Sequence, residues 1–282
     1  MNASHQIVRS ELKSALPQRN KDAHKGVFGS VAIIGGDVNM VGAVLLSTRA
    51  ALLSGAGRIY AALLSSDAQN VDPLHPEIMF RKPSDLSKLD QLDCIVIGPG
   101  LGQTKDALEL LKHWLVKKVP MLIDADALNL IAKNSDLVEL VKKREAETII
   151  TPHEGEAARL LNTTSESIKK NRTESALELA RYLKSICVLK GSSTIIAHYN
   201  CEWFVNTTGN VGLASGGTGD VLSGIIGSFI AQGLSGLEAA KIGVYVHGAA
   251  ADSLVARGQG PIGLTASEVA LEVRNVLNQL QS

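Results

Sequence analysis

Charge bias is the first thing this chain lacks. Lysine and arginine number 28, aspartate and glutamate also 28, so the 282 residues are formally neutral. A nucleic-acid or anionic-membrane surface needs a basic excess, and composition supplies none. Aromatic residues make up only 4%, too few for a platform on which single-stranded bases stack. No nucleic-acid partner and no membrane partner are therefore expected. The three cysteines, Cys94, Cys187 and Cys201, show neither paired metal-ligand spacing nor a disulfide framework. They follow or sit in apolar runs, so buried thiols in a reducing cytoplasm are expected. The opening MNASHQIVRSELK lacks the apolar core of a signal peptide. No apolar run reaches membrane-spanning length without polar interruption. Linkers and internal repeats are also missing, so one domain over residues 1–282 is the simplest organisation.

What is present is a large apolar fraction, 45%, and 26 clustered glycines. A short helix is expected around Ser10–Leu16. Val31–Ile34 reads as a buried strand closed by Gly35-Gly36-Asp37, Gly42–Ser54 as a buried helix, and Ile59–Leu63 as the next strand, which makes one βαβ unit. The alternation continues with strands at Cys94–Ile97, Met121–Asp124 and Thr148–Ile150. Helices are expected at 104–117, 127–131, 155–161, 174–185, 220–232, 236–256 and 265–280. Ile186–Lys190, Thr194–His198 and Glu202–Asn206 suit a small antiparallel edge. The pattern predicts an α/β fold with a central, mostly parallel sheet covered by helices on both faces. Ligands in such sheets bind beyond the carboxyl ends of the strands. The polar, glycine-rich turns at 35–37, 98–102, 124–126, 151–156 and 215–220 fall at such ends.

The chain is organised around Asn206–Phe229, with seven glycines at 209, 212, 216, 217, 219, 224 and 227. Val221, Leu222, Ile225, Ile226 and Phe229 fall near helical spacing, so a helix starts close to Gly216-Gly217-Thr218-Gly219-Asp220. Its free N–H groups and dipole make an anion hole over residues 216–219, suited to phosphate. A carboxylate beside a phosphate site makes sense as a base that deprotonates a hydroxyl attacking phosphorus. The alternative is that Asp220 is an ordinary N-cap.

Four further constellations carry two readings each. Gly98-Pro99-Gly100-Leu101-Gly102 is either bare backbone against a substrate or a tight turn; it is not the GxGxxG of a hydride-transfer site. Lys190-Gly191-Ser192-Ser193-Thr194 could hold a nucleotide's phosphates or be a plain hairpin with a solvated lysine. In Thr151-Pro152-His153-Glu154-Gly155-Glu156, a carboxylate could hold Mg²⁺ through water and His153 could meet a polar substrate. The same residues suit helix capping, and both readings can hold. Asp124-Ala125-Asp126 reads as a helix cap. His24-Lys25-Gly26 could close over a ligand. His247 falls in a helical pattern and reads as a packed helix residue rather than a catalyst.

Taken together, HKGVFGSVAIIGG (24–36), GAVLL and AALLSGAG within 42–57, VIGPGLG (96–102), LIDADALN (122–129), TPHEGEAARLL (151–161), VLKGSSTIIA (188–197) and NTTGNVGLASGGTGDVLSGIIG (206–227) cover nearly the whole chain in order. The set resembles the ADP-dependent NAD(P)H-hydrate dehydratases, a carbohydrate-kinase-like group within the ribokinase-type fold. The resemblance implies a hydro-lyase that repairs hydrated NADH or NADPH (the S epimers, NADHX and NADPHX). ADP, or ATP in eukaryotic relatives, would phosphorylate the C6 hydroxyl; phosphate then leaves and the ring double bond reforms. Carried over by position, Ala43, Gly102, His153 and Asp220 would contact the hydrated dinucleotide, with Asp220 as base. Lys190, Gly191, Ser192, Ser193, Thr194 and Gly219 would contact the nucleotide. Glu156 stands at the acidic position associated with Mg²⁺ in related kinases. Val211-Gly212-Leu213 departs from the Pro-Gly-Met of many relatives but keeps the glycine. The resemblance further implies a homo-tetramer and, since few residues precede His24, a separate epimerase chain. The runner-up is a vitamin-precursor kinase of the same fold, against which His153 stands where such kinases keep asparagine. A non-catalytic nucleotide-binding module is a third reading, disfavoured by Asp220.

Overall fold

A computed structural model describes residues 6–68 and 70–281. In chain order the elements are α1 (Arg9–Ala15), β1 (Ser30–Gly35), α2 (Val41–Leu53), β2 (Arg58–Leu63), β3 (Met79–Arg81), β4 (Cys94–Ile97), α3 (Lys105–Leu115), β5 (Met121–Ile123), α4 (Ala125–Lys133), α5 (Ser135–Lys142), β6 (Thr148–Ile150), α6 (Glu154–Leu160), α7 (Ser165–Lys170), α8 (Arg172–Leu183), β7 (Ile186–Leu189), β8 (Ile195–His198), β9 (Trp203–Val205), α9 (Thr218–Ala231), α10 (Gly236–Ala256) and α11 (Ala266–Gln281). The strands form one sheet in the order β3-β2-β1-β4-β5-β6-β7-β8-β9. Pairings from β3 through β7 are parallel; β7–β8 and β8–β9 are antiparallel. The mostly parallel sheet and its antiparallel edge are thus as the sequence predicts.

The strands read as continuous apolar runs because both faces are covered. Side chains alternate between two cores: Val31 and Ile33 of β1 pack in one, Ala32 and Ile34 in the other. The first core lies under α2, α9, α10 and α11, the second under α3, α4, α5, α6 and α8. Twelve of the fourteen residues of α9 are buried. A Cβ on Gly224 would collide with the Ser47 carbonyl oxygen of α2, so that glycine lets α9 and α2 approach closely.

Three elements were not foreseen. β3 is a three-residue, half-exposed edge strand in register with Tyr60–Ala62 of β2. α5 and α7 are short helices of eight and six residues. Two expectations need correction. Cys94 and Cys187 are buried, but Cys201 is exposed, because it sits in the β8–β9 turn with a left-handed backbone (φ 80°). His24-Lys25-Gly26 precedes β1, at the amino end of the parallel strands. Gln91 bonds the Gly26 carbonyl and Gly57 the Phe28 carbonyl there. That end is opposite the strand termini that carry Asp124 and Lys190, so these residues do not close over that site. Among the described residues, no helix is long and apolar enough to cross a membrane.

Candidate active site

The mouth of α9 is open. Gly217 precedes it in a left-handed conformation (φ 88°) that a side chain would strain, and it makes no side-chain cap. The first backbone N–H of the helix to be bonded is that of Val221, to the Gly217 carbonyl at 3.1 Å. The N–H groups of Thr218, Gly219 and Asp220 lie in the first turn, where no earlier helical carbonyl reaches, at the positive end of a fourteen-residue helix. Thr218 Oγ donates to the carbonyls of Leu213 and Ser215, so its hydroxyl holds the loop and only its backbone faces outward. Gly216 is exposed with open space about it. Asp220 therefore does not cap this helix from the N-cap position; it is the third residue inside it.

Three carboxylates, Asp124, Glu156 and Asp220, act on one lysine here. Lys190, just after β7, is not the solvated hairpin lysine: its side chain is 19% exposed and Nζ donates to Asp124 Oδ1 at 2.7 Å. Glu156 Oε2 lies 4.0 Å from the same nitrogen. Asp124, at the end of β5, is buried and takes a second bond from Ser223 Oγ of α9 at 2.6 Å. Burial alone would lower the Lys190 pKa, but the charges of Asp124 and Glu156 and the bond to Asp124 outweigh it, so the pKa is raised and the ammonium stays charged. Asp220 moves the other way. Burial first, then the charge of Asp124, pushes it up to about 7, against the pull of Lys190; Asp126 and Glu156 add to the rise. It is thus poised to exchange a proton near neutral pH.

The sequence assigns Asp124 to helix capping. It does occupy the N-cap position of α4, but makes no side-chain cap bond; its carboxylate turns to Lys190 and Ser223 instead. The next residue, Ala125, holds φ 50°, an uncommon conformation for a non-glycine residue that often marks a functional turn. Arg172 was also missed. Its guanidinium donates to the carbonyls of Leu189, Lys190 and Ser193 and to Glu154, shaping the turn Lys190–Thr194. No sequence signal points to it, since it lies eighteen positions from its nearest partner in the turn.

On the other side of Asp124 stand the remaining predicted residues. Gly102 N–H donates to Asp126 Oδ2 at 3.0 Å. Ala43, in the first turn of α2, faces Gly100, with its Cβ 3.3 Å from where a Gly100 side chain would begin. His153 caps α6: Nδ1 accepts from the N–H of Gly155 and Glu156, and its own N–H donates to Glu156 Oε2 in a reciprocal capping box. The capping reading holds for both residues. The imidazole of His153 is nevertheless half exposed, with Nε2 3.2 Å from Glu156 Oε1. The strand ends thus gather Asp124, Lys190, Glu156 and the mouth of α9, and Gly102 joins them through Asp126.

A cavity of about 440 Å³ opens beside Lys190 and Gly219. The turn Gly191–Thr194, the segment Thr208–Ala214, and Leu222 and His247 form its walls. Thr208–Asn210 is fastened to α10: Thr208 Oγ donates to the Tyr245 carbonyl, while Asp252 accepts from Gly209 N–H and Asn210 Nδ2. An apolar-walled pocket with a lysine and an open helix mouth at one end suits a ligand with one apolar and one anionic half.

This sheet order and glycine-led helix mouth define a ribokinase-like protein. A ribokinase-like superfamily protein from Enterococcus faecalis superposes with a TM-score of 0.84 at 30% identity, covering 99% of this chain and 97% of that one. A hydroxyethylthiazole kinase from Pyrococcus horikoshii, at 16% identity and TM-score 0.62, shares the fold alone. Within that class the chain belongs to the NAD(P)H-hydrate dehydratase family, whose profile matches residues 31–273. The ADP-dependent (S)-NAD(P)H-hydrate dehydratase of Neisseria meningitidis is 38% identical over 271 residues, 93% of this chain and 89% of that protein. The ADP/ATP-dependent NAD(P)H-hydrate dehydratase of Bacillus subtilis, co-crystallised with ATP and Mg²⁺, superposes with a TM-score of 0.85 at 30% identity, covering 99% and 100% of the two chains. The bifunctional NAD(P)H-hydrate repair enzyme of Escherichia coli is 40% identical over 277 residues, but the chain spans only about half of its length (51%).

Proposed function

We propose that this protein dehydrates the S epimers of hydrated NADH and NADPH, with ADP as phosphoryl donor and AMP and phosphate as products. The single observation that carries the reading is the juxtaposition of Asp220, with its proton affinity raised to near neutrality, and Lys190 at the open mouth of α9. The terminal phosphoryl group would lie against the N–H groups of Thr218–Asp220, with Lys190 on its oxygens. The turn Gly191–Thr194 would hold the remaining phosphate. Asp220 takes the proton of the C6 hydroxyl as that oxygen bonds to phosphorus and the bridging P–O bond of ADP breaks, releasing AMP. The C6–O bond then breaks with the electron pair leaving on phosphate. A proton is lost from the neighbouring ring carbon, which restores the double bond. Ala43, Gly102 and His153 would place the ring so that its hydroxyl faces Asp220.

No three described His, Cys, Asp or Glu side chains are arranged to hold a metal by themselves. That suits Mg²⁺, which prefers one or two carboxylates together with phosphate oxygens and water. Asp124, Asp126 and Glu156 all raise the proton affinity of Asp220 beside a single lysine, a surplus of negative charge that a divalent cation arriving with the nucleotide would offset. Glu156 and Asp124 are the residues that would meet its water shell. Bound there, the ion would neutralise charge developing on the transferred phosphoryl group. A homo-tetramer and an epimerase activity acting in the same pathway complete the proposal, with the cytoplasm as its setting.

The test is absorbance at 340 nm on mixing the protein with hydrated NADH, Mg²⁺ and ADP, with ATP in a parallel reaction. A nucleotide-dependent rise with release of free phosphate is expected. A stable phosphorylated alcohol from a vitamin precursor, with no rise at 340 nm, would favour the kinase reading instead.

A further inference from the structure

Two protons leave the hydrated ring in the proposed reaction, one from the C6 hydroxyl and one from C5, the carbon beside it. Asp220 takes the first. Most other acceptors at the strand ends are engaged. Asp124 accepts from Lys190 with one oxygen and from Ser223 with the other. Glu156 Oε2 accepts from the His153 backbone N–H, and Oε1 faces His153 Nε2. His153 Nδ1 accepts from Gly155 and Glu156, which leaves its proton on Nε2. Asp126 has one oxygen held by the Gly102 N–H and raises the proton affinity of Asp220, so it belongs with the first base.

Asp37, just after β1, is placed differently. The chain passes from β1 toward β2 on one side of the sheet and from β4 toward β5 on the other. Such a switch point leaves a crevice beyond the carboxyl ends of β1 and β4, where ligands of parallel sheets bind. Asp37 stitches its two walls together. Its N–H donates to the Gly100 carbonyl at 2.7 Å, its carbonyl accepts from Met40, and the Met40 carbonyl accepts from Ala43. Side chains on Gly35 and Gly100 would collide with the carbonyls of Pro99 and Met40, so both glycine clusters serve this close approach. Asp37 Oδ1 accepts from the Val38 N–H at 2.8 Å. Oδ2 has no polar partner among the described residues. It lies against Gly102, 2.6 Å from where a side chain there would begin. Asp37 thus shares the crevice with Ala43 and Gly102, the residues that would place the ring.

The geometry points to Asp37 as a second catalytic base, which takes the C5 proton of the hydrated ring. The assignment rests on the dehydratase reading of the site. As the C6–O bond breaks, its electron pair leaves on phosphate and the lone pair of the ring nitrogen closes toward C6, which leaves a cation. The C5–H bond then breaks. Its electrons form the C5–C6 double bond, the nitrogen recovers its lone pair, and the proton goes to Asp37 Oδ2 and from there to water. A carboxylate beside the ring also favours the cation while it lasts. Val38 and Met40 expose apolar side chains on the same loop; against the ring they would keep water from recapturing C6.

The experiment counts AMP against NADH. Wild type, Asp37→Asn and Asp126→Asn are each given hydrated NADH, ADP and Mg²⁺; AMP is measured by chromatography and NADH at 340 nm, with melting temperature alongside. The wild type should form one AMP per NADH. Asn at position 37 can still accept from the Val38 N–H but is no base, so phosphoryl transfer should continue while water recaptures the cation. NADH formation should fall by roughly a hundredfold, the scale of a lost general base, and AMP formation by no more than about tenfold, so that about ten AMP form per NADH. Asp126→Asn should keep the one-to-one ratio. Asp37→Ser, which also keeps an acceptor for Val38, is run in parallel in case the asparagine variant unfolds, with the same ratio expected. A one-to-one ratio in a folded Asp37 variant, at whatever rate, would overturn the inference, because a merely structural loss slows both products alike. Uncoupling in Asp126→Asn alone would move the base to Asp126 and also overturn it. In both cases an active wild type leaves the dehydratase reading standing. A wild type that forms neither AMP nor NADH removes both.

Discussion

Replacing Asp220 with asparagine should make the protein more stable and almost inactive. The Asp220 carboxyl is raised from an ordinary 3.8 to about 7, chiefly by burial and by the charge of Asp124. A group whose folded-state pKa lies above its unfolded value favours folding fully below the unfolded value, and that contribution is lost as pH rises through the folded one. For Asp220 the window runs from about pH 4 to about pH 7. Roughly three pKa units correspond to about 4 kcal/mol; relaxation of Lys190 and water at the site mouth reduce this to about 1–3 kcal/mol at pH 8. Thermal unfolding from pH 5 to pH 8.5 should show the wild type losing stability relative to Asp220→Asn as pH rises. Turnover should fall by roughly a hundredfold or more, the scale for removing a general base. The wild-type rate should drop below about pH 7, where the base is protonated. A variant that turns over normally, or that is less stable than wild type at pH 8 and equal to it at pH 5, would refute both the base and the electrostatics.

Two more substitutions probe the frame around this base. Asp124→Asn leaves Lys190 buried without its hydrogen-bonded partner and with only the more distant charges of Glu156 and Asp220, so a loss of about 3 kcal/mol is expected in denaturant unfolding. With that negative neighbour gone, the acid limb of the pH–rate profile should move to lower pH; an unshifted limb would mean Asp124 does not tune Asp220. Gly224→Val should lower the unfolding midpoint strongly or prevent soluble expression, because the Ser47 carbonyl occupies the space its side chain needs; near-normal stability would show that α9 and α2 can separate cheaply.

The alternation of strands and helices, and the glycine-led mouth of α9, were legible because both are local. A buried strand writes itself as an apolar run such as Cys94–Ile97, and an amphipathic helix writes its own period. Gly217 at φ 88° likewise answers a constraint of its own backbone. The same locality explains the errors. β3 exists because β2 offers it a ladder; three half-exposed residues carry no periodicity. Cys201 was expected inside because an apolar stretch lies before it, but the β8–β9 turn carries it out.

For the site, local sequence by itself determined the glycine-led start of α9, the place of Asp220 in its first turn and the capping chemistry of His153 and Glu156, because each depends on residues a few positions apart. Only the tertiary structure decided what those groups face. The Lys190–Asp124 pair spans 66 positions, Ser223–Asp124 spans 99 and Arg172 reaches its turn across 17 to 21. Sheet order brings β5 and β7 to either side of β6, so the carboxylate at the end of one meets the lysine at the end of the other. Charges interact through distance in space and burial from water, and neither can be read along the chain. That is why Asp124 passed for a helix cap until the fold set it against Lys190.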